Sequence, residues 1–336
     1  MGREPAVDTV VTGASGFVGS ALAIHLAASG RRVRGIWFRG GPEERMSRLA
    51  AAGVRLQRHD LSGDAGAGAA LQGAATVVHC AGAVSDWGTA DHFRRYNAEL
   101  TARLCRAAGA AGCRRFVHAS SAAVHGFGPH RDTTERGPFY PPVNPYQESK
   151  LAAERSVQTL LPAAVVLRLG NVYGPDDTTS FYRILRAIER GLPAFVDAGR
   201  HLTCPAYVAD VARAFELALE TEAAAGEVLL VTGGERVTWR HLLCHAALLL
   251  ERRPPRWAVP ARVALPAARM CECLYRAVPA AGEPPLTVYR VAQTAHDYHF
   301  SIARAQAVLG YAPATGYRSG IERTVRAYRR SRPAPV

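Results

Sequence analysis

Short β-branched runs alternate with alanine-rich stretches through the first 170 residues. Val7 to Val11, Val33 to Phe38, Val54 to Arg58, Thr76 to Cys80, Phe116 to Ala119 and Ala164 to Leu169 are short, apolar and rich in valine, which predicts strands. Between them, Gly16 to Ser29, Pro42 to Ala52, Asp91 to Ala111 and Pro145 to Leu161 are long enough for crossover helices. That alternation predicts an α/β fold, a doubly wound parallel sheet with helices on both faces and right-handed crossovers. Beyond Gly174 the pattern becomes irregular. Pro254, Pro255, Pro260, Pro266, Pro279, Pro284 and Pro285 are expected to punctuate short helices there, as a smaller C-terminal lobe requires.

Composition narrows the class. A chain of 336 residues with 48% hydrophobic and 21% charged residues builds a sizeable core and is neither fibrous nor disordered. No apolar stretch reaches the roughly 18 to 20 residues of a membrane span, so no spanning segment is expected. The stretch from Met1 to Val11 carries Arg3, Glu4 and Asp8 and does not resemble a secretory signal, so a cytoplasmic location is expected. Seven scattered cysteines suit free thiols in a reducing compartment. His241, Cys244 and His245 share a helix face, but no carboxylate accompanies them, and no metal site is expected.

The formal net charge is +13. Its arginines are spread along the whole chain, without an aromatic-interleaved basic patch, so no nucleic acid is expected as a partner and an anionic small molecule is. Lys150 is the only lysine among the 41 basic residues. Where arginine serves every position that needs only charge, a surviving lysine points to a need for a compact ammonium.

Three motifs carry chemistry. Thr12-Gly13-Ala14-Ser15-Gly16-Phe17-Val18-Gly19 follows a strand and opens a helix. Gly13 and Gly16 allow a tight turn that approaches a pyrophosphate, Gly19 allows the helix to pack on the strand, and the helix N-terminus attracts the anion. The expected dinucleotide contacts are Gly13, Ser15, Gly16, Phe17 and Gly19. Tyr146-Gln147-Glu148-Ser149-Lys150 places a phenol and an ammonium one helical turn apart. A phenol titrates near ~10 and needs its anion stabilised to move protons at neutral pH, which a neighbouring ammonium provides. Finally, Ser120 and Ser121 close a strand at the sheet edge where ligands bind in such folds.

Together these residues resemble the extended short-chain dehydrogenase/reductase superfamily, also called the NAD-dependent epimerase/dehydratase family. The resemblance runs through Asp60-Leu61, His79-Cys80-Ala81-Gly82, Asn97, Ser121, the Tyr146/Lys150 pair, Val172-Tyr173-Gly174-Pro175 and Tyr207-Val208-Ala209-Asp210. It implies a Rossmann-like sheet in residues 1–174, with a return segment near 205–235. Residues 175–204 and 236–330 are expected to form the substrate lobe. It also implies a mechanism in which Tyr146 exchanges a proton with the substrate oxygen, Ser121 hydrogen-bonds the same oxygen, and Lys150 lowers the Tyr146 pKa while holding the ribose. Asn97 supports a water relay. Tyr146 and Lys150 thus also contact the cofactor, with Asp60 and Leu61 beside the adenine and Ala81 and Gly82 lining its bed.

Relatives with an acid and base for sugar dehydration carry them just after the serine, where Ala122 and Ala123 stand; relatives that hold a sugar diphosphate place an arginine where Thr203 stands, although Arg200 is near. The stretches Leu286 to Arg290, Tyr298 to Ser301 and Ala307 to Pro313 look like the 3β-hydroxysteroid dehydrogenase-like branch. The expected function is therefore NAD(P)(H)-dependent interconversion of a secondary alcohol and a ketone on an apolar substrate, steroid-like, 3-oxoacyl or polyketide-like. A nucleotide-sugar epimerase working through a transient ketone is the alternative, and a non-catalytic dinucleotide sensor is the alternative of another class. The second strand ends without an acid to hold a ribose hydroxyl and with Arg39, which favours NADP(H) over NAD(H). Trp87 is a candidate pocket wall, and His125 either contacts substrate or replaces an aromatic residue of relatives. Segment Trp257 to Val278 mixes apolar and arginine positions and suits packing, a substrate cover or a membrane surface. A homodimer is expected through the helices around 91–111 and 145–161.

Overall fold

The structure, a computed structural model, describes residues 7–38, 40–191, 194–278 and 282–331. Seven strands form one parallel sheet in the spatial order Val228–Val231, Val165–Leu169, Arg115–Ser121, Ala74–His79, Val7–Thr12, Val33–Trp37, Arg55–Arg58. Chain order reverses between Val7–Thr12 and Ala74–His79, and the carboxyl ends of those two strands open the crevice where such sheets bind ligands.

Successive strand residues feed opposite faces, as the pleat demands. Val11, Val78, Val117 and Val165 pack with Leu22, Leu26, Val211 and Phe215 from helices Phe17–Ala28 and Val208–Glu220. Val10, Val77, Phe116 and Val166 pack with Leu71, Leu104 and Val157 from helices Asp64–Leu71, Leu100–Ala110 and Pro145–Leu160. Burial on both faces is why these strands read as unbroken apolar runs.

Three elements depart from expectation, the first being the edge strand Val228–Val231, a seventh beyond the six predicted. Helix Asp64–Leu71 was not anticipated, since Gly66 and Gly68 hide its helical signal. A Cβ at Gly66 would lie 1.9 Å from the Asp60 carbonyl oxygen, so close packing requires this glycine. The long helix anticipated over 91–111 is divided: Ala90–Phe93 leads into a π-helical segment, Arg94–Glu99, before Leu100–Ala110. π-turns of this kind re-aim side chains, and this one carries Asn97.

The remaining chain covers the carboxyl ends of the strands. Helices Phe181–Glu189, Trp239–Leu249 and Tyr317–Arg330 share a core of Leu185, Leu242, Leu243, Ala246, Ile321 and Val325. Helix Ala261–Ala277 packs on Val288–Ala295 through Ala264, Ala268, Val288 and Val291. Pro266 is not a joint: it lies inside Ala261–Ala277 on the exposed side, where it forfeits a backbone bond without ending the helix. Strand Tyr298–Phe300 pairs with His130–Thr133 and draws the C-terminal half against the loop that follows the serines.

Candidate active site

The glycine-rich turn is built by close backbone approach. Gly13 adopts φ 71°, and a Cβ there would lie 2.7 Å from the Ala81 Cα, on the segment that leaves the neighbouring strand. A Cβ at Gly19 would lie 2.2 Å from the Gly13 carbonyl oxygen, so the helix can seat on the turn only with glycine there. Gly16 donates its N–H to the Gly13 carbonyl at 2.9 Å and precedes Phe17 without a side-chain cap; the first helical turn holds no acid. The positive helix end is thus left to an anion. The buried Arg45 clamps the turn, donating to the Ser15 carbonyl at 3.0 Å and to the Asp176 carbonyl at 2.9 Å. No sequence motif marked Arg45. Ala81 donates to Thr12 Oγ1 at 3.3 Å, and a Cβ on Gly82 would lie 2.8 Å from Asn97 Oδ1, so the second wall of the crevice is backbone as well.

At the far end, Asp60 is exposed and accepts the Ser62 N–H at 2.9 Å, a bond that holds its carboxyl below the usual range. Leu61 is buried. Arg58 lies 5.7 Å from the Trp37 ring centre. Arg39 lies outside the described residues. The turn, the uncapped helix end and the glycine-lined wall fit a dinucleotide diphosphate.

The candidate reacting groups come from helix Pro145–Leu160 and the end of strand Arg115–Ser121. Asn144 caps the helix by accepting Gln147 N–H at 3.1 Å, and Pro145 pre-sets its first turn. Gln147 is the bolt: its side-chain amide donates to the Ala123 carbonyl at 2.9 Å while accepting Val143 N–H at 2.8 Å. This places Tyr146 beside Ser121, near enough for the serine hydroxyl to act on the phenol. Ser120 engages Glu154 instead, so the paired serines have separate partners. Burial raises the Tyr146 pKa above its ordinary value and the Ser121 hydroxyl pulls it back.

Lys150 is also buried, and its Nζ donates to the Ala119 carbonyl at 2.9 Å. Burial lowers its pKa to about 8 against opposing influences from Cys80 and Glu154. Lys150 thus sits on the same buried helix face as Tyr146, one turn further on. Asn97 is held by Ala83, accepting its N–H at 2.8 Å and donating to its carbonyl at 3.0 Å, and donates to Ser149 Oγ at 2.9 Å. Ser149 in turn donates to the Tyr146 carbonyl at 2.7 Å. Asn97 therefore joins the cluster through the helix that carries Tyr146.

An aromatic wall that no motif marked surrounds the phenol. Phe93 meets Tyr146 edge-on at 5.8 Å between ring centres, and Tyr289 meets it at 6.3 Å. Phe127 then lies 4.8 Å from Tyr289. These rings come from three distant segments, so only the fold assembles them. His125 stands elsewhere than a substrate contact would. It is fully buried and stacked 4.5 Å from Phe139, with Nδ1 bonded to the Pro138 carbonyl at 3.2 Å and Nε2 to Arg168 at 3.0 Å. Burial and the Arg168 charge lower its pKa to about 3, so it is neutral at neutral pH, which assigns its proton to Nδ1. Trp87 is half-buried under the Arg276 guanidinium, 5.0 Å from its ring centre.

Comparison with known proteins agrees with this geometry. Residues 9–232 match the NAD dependent epimerase/dehydratase family. The chain is 31% identical over 325 residues to the 4-hydroxy-2-methyl-3-oxo-4-farnesyl-3,4-dihydroquinoline-1-oxide ketoreductase of Stigmatella aurantiaca, covering 94% of each chain. It is 28% identical to the 2-alkyl-3-oxoalkanoate reductase of Stenotrophomonas maltophilia, covering 94% of this chain and 97% of that one. Among solved structures, MoeE5 in complex with UDP-glucuronic acid and NAD superposes with a TM-score of 0.76 at 28% identity, covering 96% of this chain and 99% of that chain. With its Rossmann-like sheet and dinucleotide crevice, the chain belongs to the NAD dependent epimerase/dehydratase family and is an NAD(P)-dependent oxidoreductase of the short-chain dehydrogenase/reductase superfamily.

Proposed function

We propose that the protein reduces a ketone, or oxidises the matching secondary alcohol, on an apolar 3-oxoacyl-like, polyketide-like or steroid-like substrate, using Ser121, Tyr146 and Lys150. The observation that carries this reading is the apolar, aromatic setting of a phenol beside Ser121: Phe93 and Tyr289 flank Tyr146, and Phe127 backs Tyr289. The relatives named as reductases of 3-oxo compounds support it.

The crevice residues Gly13, Ser15, Gly16, Phe17, Gly19, Ala81 and Gly82 would hold the dinucleotide, with Asp60 and Leu61 at its adenine end. When bound, it supplies or takes up a hydride. The chain's own part is proton management. Ser121 and Tyr146 converge on one substrate oxygen. Ser121 orients it, and Tyr146 donates its proton as that oxygen gains charge. Lys150, fixed one turn further by Ala119, stabilises the phenolate left behind and holds the ribose. Asn97 and Ser149 anchor the backbone of Tyr146 and offer a place for a proton-relaying water. NADP(H) is the proposed cofactor, since no acid stands between Val33 and Phe38 and Arg39 follows. A homodimer through helices Leu100–Ala110 and Pro145–Leu160 is part of the same proposal.

The nucleotide-sugar reading draws on the likeness to MoeE5, solved with UDP-glucuronic acid and NAD. Against it, the position for a diphosphate-binding arginine is Thr203, which is buried and accepts from Asn171 at 3.0 Å, and Arg200 is paired with Asp197 at 3.7 Å. Ala122 and Ala123 are buried apolar residues and provide no dehydratase acid or base.

The test is a panel of 3-oxoacyl compounds, ketosteroids and nucleotide sugars, followed through nicotinamide absorbance with NADPH and NADH. Net oxidation with an apolar ketone is expected, with NADPH the better donor; conversion of a nucleotide sugar with no net absorbance change would replace this reading by epimerisation. Tyr146→Phe should cut turnover by about 10²- to 10⁴-fold while cofactor affinity is kept.

A further inference from the structure

Helix Ala261–Ala277 presents two unlike faces. Its inner face sets Ala264 and Ala268 against Val288 and Val291, and its buried Glu272 accepts the Val288 N–H at 2.8 Å. Its outer face exposes Val263, Met270 and Leu274 by 53%, 64% and 59%, at spacings of seven and four that keep them in one line. Trp257 ahead of the helix is 80% exposed and Val278 behind it 61%. Half of the large apolar side chains exposed among the described residues thus fall within this one stretch. Patches of this kind mark interaction surfaces.

The exposed charge beside this line is mostly positive. Arg262, Arg269 and Arg276 recur every seven residues along one flank of the apolar line, and Arg252, Arg253 and Arg256 precede it; all six are exposed. Glu272 is the one carboxylate in the sequence from 252 to 278, and it is buried. A second copy is a poor occupant. In a two-fold pairing the patch meets itself, and six arginines would face six with only Glu272, already paired with Arg276 at 3.2 Å, and Asp197 at the helix start to answer them. An apolar ridge beside a one-sided row of arginines matches a bilayer surface bearing anionic headgroups, where apolar side chains enter the acyl boundary and guanidinium groups bind phosphate. Arg276 covers Trp87, and Val84, four residues along from Cys80, is 69% exposed, so the surface runs on to the loop beside Asn97.

We propose that the protein docks peripherally on anionic membrane surfaces through helix Ala261–Ala277, with Trp257, Val263, Met270 and Leu274 inserted and the arginine row on the headgroups. An apolar substrate would then reach the active-site cleft from the bilayer rather than through water. The docking itself does not rest on the redox reading, because its test needs no turnover.

The experiment is co-sedimentation of the full-length protein with vesicles of phosphatidylcholine, with and without phosphatidylglycerol, at low and high salt. Binding is expected only where phosphatidylglycerol is present, and it should weaken as salt screens the arginines. Met270→Glu/Leu274→Glu should weaken it at least about tenfold with an unchanged thermal midpoint. Arg262→Gln/Arg269→Gln should weaken it about 25-fold, since each arginine near such a surface contributes roughly fivefold. No binding by the native protein at low salt overturns the proposal, and so does undiminished binding by either variant. A fall in particle mass of Met270→Glu/Leu274→Glu in sedimentation also overturns it, by assigning the patch to a second copy.

Discussion

A lysine ammonium buried beneath a strand end is costly to a fold, and Lys150 illustrates what that cost is for. Its pKa falls to about 8 because burial outweighs the influences of Cys80 and Glu154. Between that value and the unfolded value near ~10.4 the unfolded chain binds more protons, so stability rises with pH across this window. Below about 8 the penalty is fully present. At 1.36 kcal/mol for each pH unit it amounts to about 3 kcal/mol, of which the bond to Ala119 returns about 1. Lys150→Met should therefore stabilise the chain by about 2 kcal/mol at neutral pH, with the advantage shrinking as pH climbs from 8 to 10.5, while turnover collapses. Urea unfolding across that range would measure it; a variant less stable at every pH would show that the ammonium carries no penalty. The sequence singles this residue out as the only lysine. Its burial and its bond to Ala119 are not legible there, because both depend on how close helix Pro145–Leu160 sits to strand Arg115–Ser121. For the same reason His125 could be noticed in sequence and not placed: only the assembled fold shows both ring nitrogens occupied.

Helix Pro145–Leu160 carries Tyr146, Lys150 and Glu154 at steps of four, one line facing the sheet. The third member locks the other two. Glu154 receives Arg168 through three contacts of 2.8 to 3.2 Å as well as Ser120, and both side chains of the ion pair are buried. Breaking such a pair leaves an uncompensated charge in the interior. Glu154→Leu and Arg168→Met should each cost about 3 to 5 kcal/mol, while the double replacement Glu154→Leu/Arg168→Met should recover most of it. Chemical denaturation of the four proteins closes the cycle; additive losses would show that the two side chains act independently. At this scale six of the seven sheet strands and helices Phe17–Ala28, Glu43–Ala51 and Pro145–Leu160 are readable, because apolar runs and alanine-rich segments have distinct periods; the edge strand Val228–Val231 is not. What escaped were elements whose local signal is weak or contradictory. Helix Asp64–Leu71 is diluted by glycines, and the π-turn over Arg94–Glu99 has no composition of its own. The ion pair escaped as well, since Glu154 and Arg168 read as an ordinary helix acid and strand base until the helix lies on the strand.

The two parts of the molecule are joined by a side chain from the family motif Tyr207 to Asp210. Asp210, buried near the start of helix Val208–Glu220 on the sheet flank, accepts the Ala314 N–H at 3.0 Å and the Thr315 N–H at 3.1 Å. Those residues lead into helix Tyr317–Arg330, whose Ile321 and Val325 fill the C-terminal core. A second tie comes from Tyr311, whose hydroxyl donates to the Thr232 carbonyl at 3.0 Å just past the edge strand. The sequence signals the motif without its destination, more than 100 residues away, so this connection is a property of the fold alone. Asp210→Ala would leave the buried Thr315 N–H without an acceptor, costing about 1 to 3 kcal/mol, and would also remove the half-buried bond to Ala314. Tyr311 still holds the segment to the sheet, so the loss should appear as easier local opening of the C-terminal helix rather than of the whole chain. An opening free energy lowered by about 2 to 3 kcal/mol corresponds to amide exchange roughly 30- to 150-fold faster. Native-state hydrogen exchange should show that acceleration over Tyr317–Arg330, with Val10, Val77 and Val166 in the sheet unchanged. Equal acceleration in both regions would mean that the C-terminal helix opens only when the sheet does, and that Asp210 supports the global fold rather than a separable clasp.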